Sequence, residues 1–423
     1  MRLNVTSEIG RLKSVLIHLP GREIDLMVPP MMAQLLFDDI LYGQVAREEH
    51  RRFQQLIRFV ADEVYDLQDL LEEVLENGDA KEKIVRDLAK RNGLSRKLAA
   101  QLRELPAGKL AEVLIAGIAR DTKSGDLPEF DIFPIPNLFF MRDPQIVLGD
   151  KVVISSMATQ ARRRESLLSK YVFENHSHFQ GQASFWVDFM ATEPERPMPR
   201  RMPTIEGGDV LVPRRDLLLV GITERTNRAG VEALIRSLKQ ANAGVESVII
   251  VDIPRQRSFM HLDTIFTFIS RNECLIYPPV ILPSGGQAAK VTTVDLTKKR
   301  SLAYSEQKSL LSALKKKGFD LEPIYCGGPS AVDQQREQWT DGANAFALAP
   351  GIILLYERNV RTAEELARHG YHIVYEDDLL LGRTELETWT EKKYALQIAG
   401  NELSRARGGP RCMTMPLERE DLT

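Results

Sequence analysis

Cysteine is scarce in this chain. Only three cysteines occur among 423 residues, Cys274, Cys326 and Cys412. Three scattered cysteines exclude the disulfide framework of a small secreted protein, and we expect a cytoplasmic location in a reducing compartment. Long apolar runs are also missing, since no stretch approaches the roughly 18 residues that a membrane-spanning helix needs. The segment 1–21 is too polar for a signal peptide.

An excess of charge of one sign is missing as well. The formal net charge is −3, and charged residues make up 27% of the chain. This balance offers no basic field for nucleic acid, and we expect neither a nucleic-acid nor a membrane partner. With 43% hydrophobic residues, the chain is long enough to bury a large core in one to three domains.

Among the cysteines, Cys412 has the most informative neighbours. It lies in the segment 407–413 (RGGPRCM), after two glycines, a proline and two arginines. Nearby cations favour the thiolate, which is the reactive form of the side chain. Glycine and proline can also present a side chain at a fixed angle. The alternative is an inert thiol beside two solvated arginines.

Residues 45–121 have a different pattern from the rest of the chain. Apolar residues recur at helical spacing with charges between them, and strand signals are almost absent. Gly93 and Pro106 interrupt the pattern. We predict several short helices that form an insertion into a catalytic α/β domain made of 1–44 and 122–423.

Four segments of the remaining chain share one plan, which indicates an internal repeat. They begin near Arg142, Glu206, His261 and Asp341. Each has a polar loop with an acid, an apolar strand, a turn and a second strand. At least three are followed by a helix, and two of these helices by another strand, so the unit is β-β-α-β. The similar spacing favours a radial α/β array with a fifth unit at the N-terminus; a doubly wound sheet is the alternative.

A radial array would bring the polar loops together near one axis. Asp143, Glu206, His261, Asp263 and Cys412 would then share a pocket. A cysteine and a histidine suggest nucleophilic catalysis with a general acid/base. Three carboxylates would repel a thiolate unless a cation lay among them, and a planar guanidinium matches paired carboxylates in geometry and charge. The acids also favour a protonated His261, which would stabilise the thiolate.

Each motif also has a purely structural interpretation. Asp143 precedes a proline and suits a turn, and the two glycines after Glu206 suit a tight turn. On a strand, the spacing of His261 and Asp263 would put both side chains on one face, which also suits a metal site. A second histidine motif with zinc-ligand spacing does not accompany them, so we expect no metal.

Nine segments, in order and spread nearly end to end, resemble arginine deiminases of the guanidine-modifying, or pentein, superfamily. The segments REQWTDG and GGPRCM favour this family over the amidinotransferases, dimethylarginine hydrolases and agmatine deiminases of the same superfamily. The matching segments are SEIGRLKSVLIH, LLFDDI, PNLFFMRDP, ARRRE, IEGGDVLV, GITERT, FMHLDTIFT, REQWTDGAN and GGPRCMTMPLERED.

The resemblance implies a chemical role for five positions. Cys412 matches the nucleophile and His261 the general acid/base. Glu206 matches the acid that pairs with this histidine and assists the guanidinium end. Asp143 and Asp263 match the two carboxylates that bind the guanidinium nitrogens.

Five further positions match residues that contact the substrate. Arg162 and Arg225 match the arginines that hold the substrate carboxylate, and both start predicted helices, where backbone N–H groups would add to anion binding. Asn137 and Phe140 match positions at the amino-acid end of the substrate. Arg407 matches a mobile arginine on the loop that closes over the site.

The resemblance also implies the fold and the reaction. The fold would be a five-bladed ββαβ propeller, the pentein fold, with a helical insertion after the first blade. The reaction would be hydrolysis of L-arginine to L-citrulline and ammonia through an S-alkylthiouronium on the cysteine, with no cofactor, in a homo-oligomer (a dimer or tetramer). The alternatives are an amidinotransferase, a deiminase acting on agmatine, and a non-catalytic arginine binder.

Three features depart from the family pattern. Leu19 replaces the arginine of the H-R-P-G motif, and Met141 replaces the threonine before Arg-Asp-Pro. The segment 380–403 is longer than in compact members. We expect these departures to affect rate and loop behaviour more than the class of reaction.

Overall fold

The computed structural model describes residues 2–120, 128–179, 185–190, 202–298, 302–387 and 390–422. Its twenty strands in this part of the chain are β1 (Leu12–Ile17), β2 (Glu63–Asp66), β3 (Ile118–Ala119), β4 (Phe130–Ile132), β5 (Gln145–Leu148), β6 (Lys151–Ile154), β7 (Phe185–Asp188), β8 (Val210–Arg214), β9 (Leu217–Ile222), β10 (Ser247–Asp252), β11 (Phe266–Phe268), β12 (Glu273–Ile276), β13 (Lys290–Asp295), β14 (Ala303–Gln307), β15 (Glu322–Tyr325), β16 (Phe346–Ala349), β17 (Ile352–Tyr356), β18 (Tyr371–Tyr375), β19 (Lys393–Ile398) and β20 (Met415–Arg419).

The α-helices of the described residues lie between these strands. They are α1 (Arg22–Asp25), α2 (Met32–Leu35), α3 (Gly43–Ile57), α4 (Leu67–Leu75), α5 (Gly78–Asn92), α6 (Arg96–Glu104), α7 (Ala107–Ala116), α8 (Arg163–Asn175), α9 (Arg228–Gln240), α10 (Pro278–Ile281), α11 (Leu310–Lys316), α12 (Ala331–Trp339), α13 (Val360–Arg368) and α14 (Glu376–Leu380). No helix in these ranges has both the length and the apolar composition to cross a bilayer.

Five sheets share one pairing pattern. In each, a central strand pairs antiparallel with one neighbour and parallel with the other. Their orders are β2-β1-β20, β5-β6-β7, β8-β9-β10, β11-β12-β15 and β16-β17-β19, and β13-β14 and β18 extend two of them. Parallel neighbours need a crossover, and α3, α8, α9, α11 and α13 lie in these connections. The predicted mixed α/β class and the β-β-α-β repeat are therefore confirmed.

The crossover helix α9 shows how the sequence produces these units. The side chain of Asn227 caps its N-terminus by accepting a hydrogen bond from the Gly230 N–H at 2.8 Å. Four apolar residues then recur at helical spacing and form one buried face. They are Val231, Leu234, Ile235 and Leu238.

The first unit contains a strand that the sequence analysis missed. The chain between 45 and 121 is mostly helical, but β2 lies inside this range and pairs in parallel with β1. Its sequence, EVYD, is short and mostly polar, so it has no strong strand pattern. Helix α3 is therefore a crossover of the first sheet, and the helical segment that could be an insertion begins at Leu67. The division into two parts remains a prediction.

The fourth unit also differs from the simple repeat. The strand predicted after α13 is β18, and it pairs with β19 instead of β17. Strand β19 lies inside the long segment 380–403 and takes the place beside β17. The chain ends are joined by the antiparallel pair β1 and β20, which sets Leu16 opposite Met415.

Removing a buried side chain from a central strand should destabilise the fold. Ile353 of β17 is fully buried in the core. Ile353→Ala should lower the free energy of unfolding by about 2–5 kcal/mol, because the lost contacts leave a cavity. Val332→Ala, at a residue that is 68% exposed, is the control and should change it by less than about 0.5 kcal/mol. Urea unfolding monitored by circular dichroism measures both values, and equal effects would contradict this assignment of the core.

Candidate active site

The predicted site residues come from equivalent places in different units. Asp143 precedes β5, Glu206 precedes β8, His261 precedes β11, and Cys412 precedes β20, each by a few residues. All four side chains are buried. The structure therefore brings together the polar loops at which the repeats begin, as the radial array predicted.

His261 lies between two carboxylates. Its Nε2 is 2.9 Å from Oε2 of Glu206, and its Nδ1 is 3.7 Å from Oδ1 of Asp143. Burial alone would lower the pKa of His261, but the charge of Asp143 and the hydrogen bond with Glu206 outweigh it and raise the pKa to about 9. The imidazole is therefore protonated at neutral pH, as predicted.

The backbone around His261 is tightly packed. A Cβ atom at Gly208 would lie 2.6 Å from Cγ of His261, so the second glycine after Glu206 permits this contact. His261 precedes a 3₁₀ helix, Leu262–Thr264. The interpretation of His261 and Asp263 as neighbours on one strand face is therefore wrong, because β11 begins only at Phe266.

Glu206 is strongly held in its charged form. Burial would raise its pKa, but Arg225 and His261 together lower it to about 2. Its other oxygen, Oε1, accepts a hydrogen bond from the Ala158 N–H at 2.9 Å. Glu206 thus carries a fixed negative charge that, together with that of Asp143, keeps His261 protonated.

Asp143 is bound by Arg162. The Arg162 Nη1 donates to Oδ2 of Asp143 at 2.7 Å, and its other nitrogens bind Glu165. The Gly208 N–H donates to Oδ1 of Asp143 at 3.1 Å. Burial raises the pKa of Glu165 to about 7, although Arg162 opposes the shift. One buried guanidinium is therefore shared between two buried acids.

Asp263 is bound by a second buried arginine. Arg411 donates from Nη1 to Oδ2 of Asp263 at 2.7 Å and from Nε to Oε2 of Glu8 at 3.1 Å. The Cys412 Sγ lies 3.8 and 4.0 Å from the two oxygens of Asp263. Asn344 accepts from the Cys412 N–H and donates to the Asp263 carbonyl, both at 3.0 Å. Thiol and carboxylate are therefore held side by side.

The prediction that flanking arginines make Cys412 a thiolate is wrong for this site. Burial, Asp263 and Asp143 raise the pKa of Cys412 well above its usual value. Arg411 is paired with acids, and the Arg407 guanidinium lies 3.4 Å from the centroid of the Trp339 ring. The charge of Arg411 is shared between Asp263 and Glu8, and Arg407 lies on Trp339, so neither arginine outweighs burial and the acids around the sulfur, and the thiol is protonated.

The residues predicted at the amino-acid end surround the same cluster. Arg225 Nη1 is 3.9 Å from Oε2 of Glu206, and Asn137 donates to the Leu35 carbonyl at 2.7 Å. Arg162 directly precedes α8, but Arg225 lies three residues before α9. The prediction that both start helices therefore holds for Arg162 alone.

The loop that carries Arg407 lies on the ring of Phe140. A Cβ atom at Gly408 would be 2.2 Å from that ring, and the Tyr356 hydroxyl donates to the Gly408 carbonyl at 2.8 Å. Gly408 thus allows the loop to cover the site. Met141 is buried nearby, and Leu19 lies in the loop after β1, where its N–H donates to Asp66 at 2.7 Å.

Three of the site residues could together hold a metal. Ligand atoms of Asp143, Glu206 and His261 all lie within 4.8 Å of one another. The Arg162 Nη1, however, is 2.7 Å from Asp143 and 3.7 Å from Glu206, so a protein cation already neutralises these oxygens. The expectation of no metal and no cofactor remains a prediction.

Sequence reasoning missed several buried polar residues. Three had a usable signal: Glu165 follows Arg162 by three residues, and Asp341 and Asn344 both lie in the polar loop of the fourth repeat. Asp209 accepts hydrogen bonds from Thr223 and the Leu262 N–H, and nothing in the sequence distinguished it from a turn residue. The missed residues are Glu8, Glu165, Asp209, Asp341 and Asn344.

Removing the charge of Glu206 should weaken the binding of the proton on His261. Glu206→Gln should lower the pKa of His261 from about 9, because the hydrogen-bonded anion that stabilises the imidazolium is lost. Imidazole proton shifts followed by NMR against pH measure this. Glu232→Gln, at a residue that is paired with Arg236 on the surface of α9, is the control. An unchanged His261 titration would contradict the assigned contact.

Three comparisons place this geometry among known proteins. The sequence profile described as "Arginine deiminase" matches residues 33–419. An arginine deiminase of Clostridium perfringens (strain SM101 / Type A) is 36% identical over 441 residues, covering 99% of this chain and 98% of the relative. One of Streptococcus sanguinis (strain SK36) is 33% identical over 443 residues, covering 99% of each.

Solved structures share the fold at low sequence identity. SxtG, an amidinotransferase from Microseira wollei, has a TM-score of 0.52 at 13% identity and covers 99% of this chain and 98% of its own. The N-terminal domain of an ArgZ variant, covalently bound to a reaction intermediate, has a TM-score of 0.50 at 15% identity, with coverages of 96% and 98%. These neighbours establish a shared mixed α/β fold, and the two full-length sequence matches establish descent: the chain belongs to the arginine deiminase family.

Proposed function

We propose that this protein hydrolyses L-arginine to L-citrulline and ammonia through a covalent intermediate on Cys412. The observation that carries the proposal is a buried thiol 3.8 Å from the carboxylate of Asp263, within a cluster of acids around a protonated histidine. Such a cluster favours a planar cationic substrate, and the guanidinium of arginine is one.

We propose that the five similar sheets are the blades of a closed five-bladed propeller. Two observations support a propeller. The five sheets have the same pattern of strand pairing, and the loops that precede their first strands lie together in one site. The pair β1 and β20 would close the ring by joining the two ends of the chain. The helical segment after β2 would be the insertion.

Substrate binding would begin with an exchange of guanidinium groups. Arg162 now donates to Asp143 at 2.7 Å, where the substrate guanidinium would bind between Asp143 and Asp263. The substrate would replace Arg162 at this carboxylate. Arg162 would then join Arg225 in binding the substrate carboxylate, with Asn137 nearby at the amino-acid end.

The substrate itself would help to ionise the nucleophile. Acids and burial keep the pKa of Cys412 above its usual value, and a cation bound beside Asp263 would lower it by opposing those charges. His261 cannot take the proton, because its pKa of about 9 keeps it protonated at neutral pH. The thiol proton would therefore leave to solvent as arginine binds.

The chemical steps would then use His261 first as an acid and then as a base. The thiolate attacks the guanidinium carbon, and His261 protonates the departing ammonia, which leaves an S-alkylthiouronium. The neutral imidazole next removes a proton from water, and the resulting hydroxide attacks the same carbon. The C–S bond then breaks, which restores the thiolate, and the proton of the added hydroxyl passes to solvent as citrulline leaves.

The nucleophile can be tested by replacing its sulfur. Cys412→Ser should lower the rate of citrulline formation by at least about a thousandfold, because a serine hydroxyl is a far weaker nucleophile without a nearby base. Cys274→Ala, at a buried thiol of the core, is the control and should retain activity. Appreciable turnover by a folded Cys412→Ser protein would exclude the covalent mechanism.

The substrate is tested by comparing L-arginine with agmatine, which lacks the carboxylate. Turnover of L-arginine and not of agmatine is expected, with release of ammonia. Ornithine release in the presence of an acceptor amine would instead identify an amidinotransferase. Binding of arginine without any product would identify a non-catalytic binder.

Asp263→Asn should separate thiol reactivity from catalysis. The substitution removes a negative charge that raises the pKa of Cys412, so alkylation of Cys412 by iodoacetamide at pH 7 should become faster. Turnover at low arginine should fall by at least about tenfold, because a guanidinium ligand is lost. Slower alkylation, or unchanged turnover, would contradict the role of this acid.

The surroundings of the enzyme remain predictions. We expect a cytoplasmic homo-oligomer, a dimer or tetramer, whose partner in the reaction is the small molecule L-arginine. Size-exclusion chromatography with light scattering measures the oligomeric state.

A further inference from the structure

Asp341 is a buried acid that none of the steps above uses. It is 1% exposed, and neither of its carboxylate oxygens has a hydrogen-bond partner. It lies between α12 and β16, at the start of the fourth repeat. A buried carboxylate without partners is costly, so its presence calls for a partner that is not engaged in this conformation.

Arg407 is the matching anomaly of opposite charge. It is 4% exposed, and none of its three guanidinium nitrogens has a hydrogen-bond partner. Its guanidinium stacks on the side chain of Trp339, with Cζ 3.4 Å from the ring centroid. Trp339 is itself 46% exposed, and a cation–π contact at such a site is weak compared with a buried, hydrogen-bonded ion pair.

The two groups lie in one electrostatic environment. The charge of Arg407 acts on Asp341, and the charge of Asp341 acts on Arg407. No ion pair within 4.0 Å joins them among the described contacts. Both residues have positive backbone φ, +61° for Asp341 and +65° for Arg407. Both are therefore non-glycine residues in the left-handed region, a strained backbone conformation that clusters at functional and switch sites.

We propose that Asp341 is the second binding position of Arg407, which exchanges between the Trp339 ring and the Asp341 carboxylate, and that a cationic substrate in the site drives the exchange. The inference rests on the proposed function, because it assigns the trigger to the bound guanidinium. Asp341 is a positioning residue here, since it acts on the covering loop through Arg407.

The charges around Asp341 explain the direction of the exchange. Burial raises the pKa of Asp341 to about 7, Arg407 and Arg358 lower it, and Asp263 and Asp38 raise it. A guanidinium bound at Asp263 would neutralise that acid and favour the ionised form of Asp341. The ionised carboxylate then attracts Arg407 away from Trp339, which couples occupation of the site to the position of the loop.

The charge of Asp341 also acts on three other buried titratable groups that face it. Its negative charge raises the pKa values of Cys412, Tyr356 and Cys326. Pairing with Arg407 would cancel that charge at the sulfur. The exchange would therefore assist the formation of the Cys412 thiolate once substrate is bound.

The emission of Trp339 reports the exchange directly. The chain has three tryptophans, so Trp186→Phe with Trp389→Phe leaves Trp339 as the single reporter. In a Cys412→Ser background, which prevents turnover, saturating L-arginine should change the emission of Trp339 as the stacked cation leaves. Asp341→Asn should abolish this change, and asparagine tolerates the positive φ of the site.

Kinetics on the protein with an intact Cys412 provide the second measurement. Asp341→Asn should raise the KM for arginine on the order of tenfold and remove the ionisation near pH 7 from the pH profile of kcat/KM, because the loop partner is lost. Asp320→Asn, at an exposed acid paired with Lys315, is the control for loss of charge. It should leave both quantities unchanged.

The outcomes separate this inference from the proposed function. Without arginine turnover or binding by the parent protein, the proposed function itself fails. With normal turnover, an emission change that persists in Asp341→Asn, or that is absent from the parent, overturns the role of Asp341. Loss of the emission change in Asp341→Asn, together with a raised KM for arginine, supports the role of Asp341.

Discussion

The burial of negative charge is the constraint on which the rest of this structure depends. Asp143, Glu206 and Asp263 are each at most 3% exposed, and an isolated ionised acid in such a place costs several kcal/mol. Arg162 and Arg411 make this burial possible by donating to Asp143 and Asp263 at 2.7 Å each. These two arginines come from distant parts of the chain, so the balance of charge in the site depends on the tertiary fold.

The same charge balance sets the protonation states that the chemistry uses. Asp143 and Glu206 together hold His261 protonated, whereas burial and the acids keep Cys412 as a thiol. In the proposed mechanism, Cys412 therefore stays a thiol until a cation enters the site. Substrate, nucleophile and covering loop would then be linked through charge alone, which explains why a thiol enzyme would surround its sulfur with acids.

The sequence was informative where a pattern repeats and weak where a contact is formed across the fold. Polar loops at similar spacing, with the C-terminal segment closing the array, predicted that Asp143, Glu206, His261, Asp263 and Cys412 would meet. Helix α9 likewise follows its apolar spacing closely. The short strand β2, EVYD, carries no apolar pattern and becomes a strand only through pairing with β1. Tertiary pairing of this kind is not encoded in local periodicity.

The charges around Cys412 show the same limit at the level of single residues. Two flanking arginines predicted a thiolate, but Arg411 turns to Glu8 and Asp263, and Arg407 to Trp339. Glu8 is 403 positions away from Arg411, so proximity in sequence could not reveal this pairing. Partners distant in sequence, and not neighbours, determine the reactivity of the sulfur.

The covalent intermediate on Cys412 is most directly tested by rapid-quench mass spectrometry of the protein mixed with L-arginine. The expected result is a transient adduct with the mass of arginine less ammonia, located on the peptide that contains Cys412, which rises before citrulline accumulates. Steady formation of citrulline with Cys412 unmodified at every time point would contradict the mechanism.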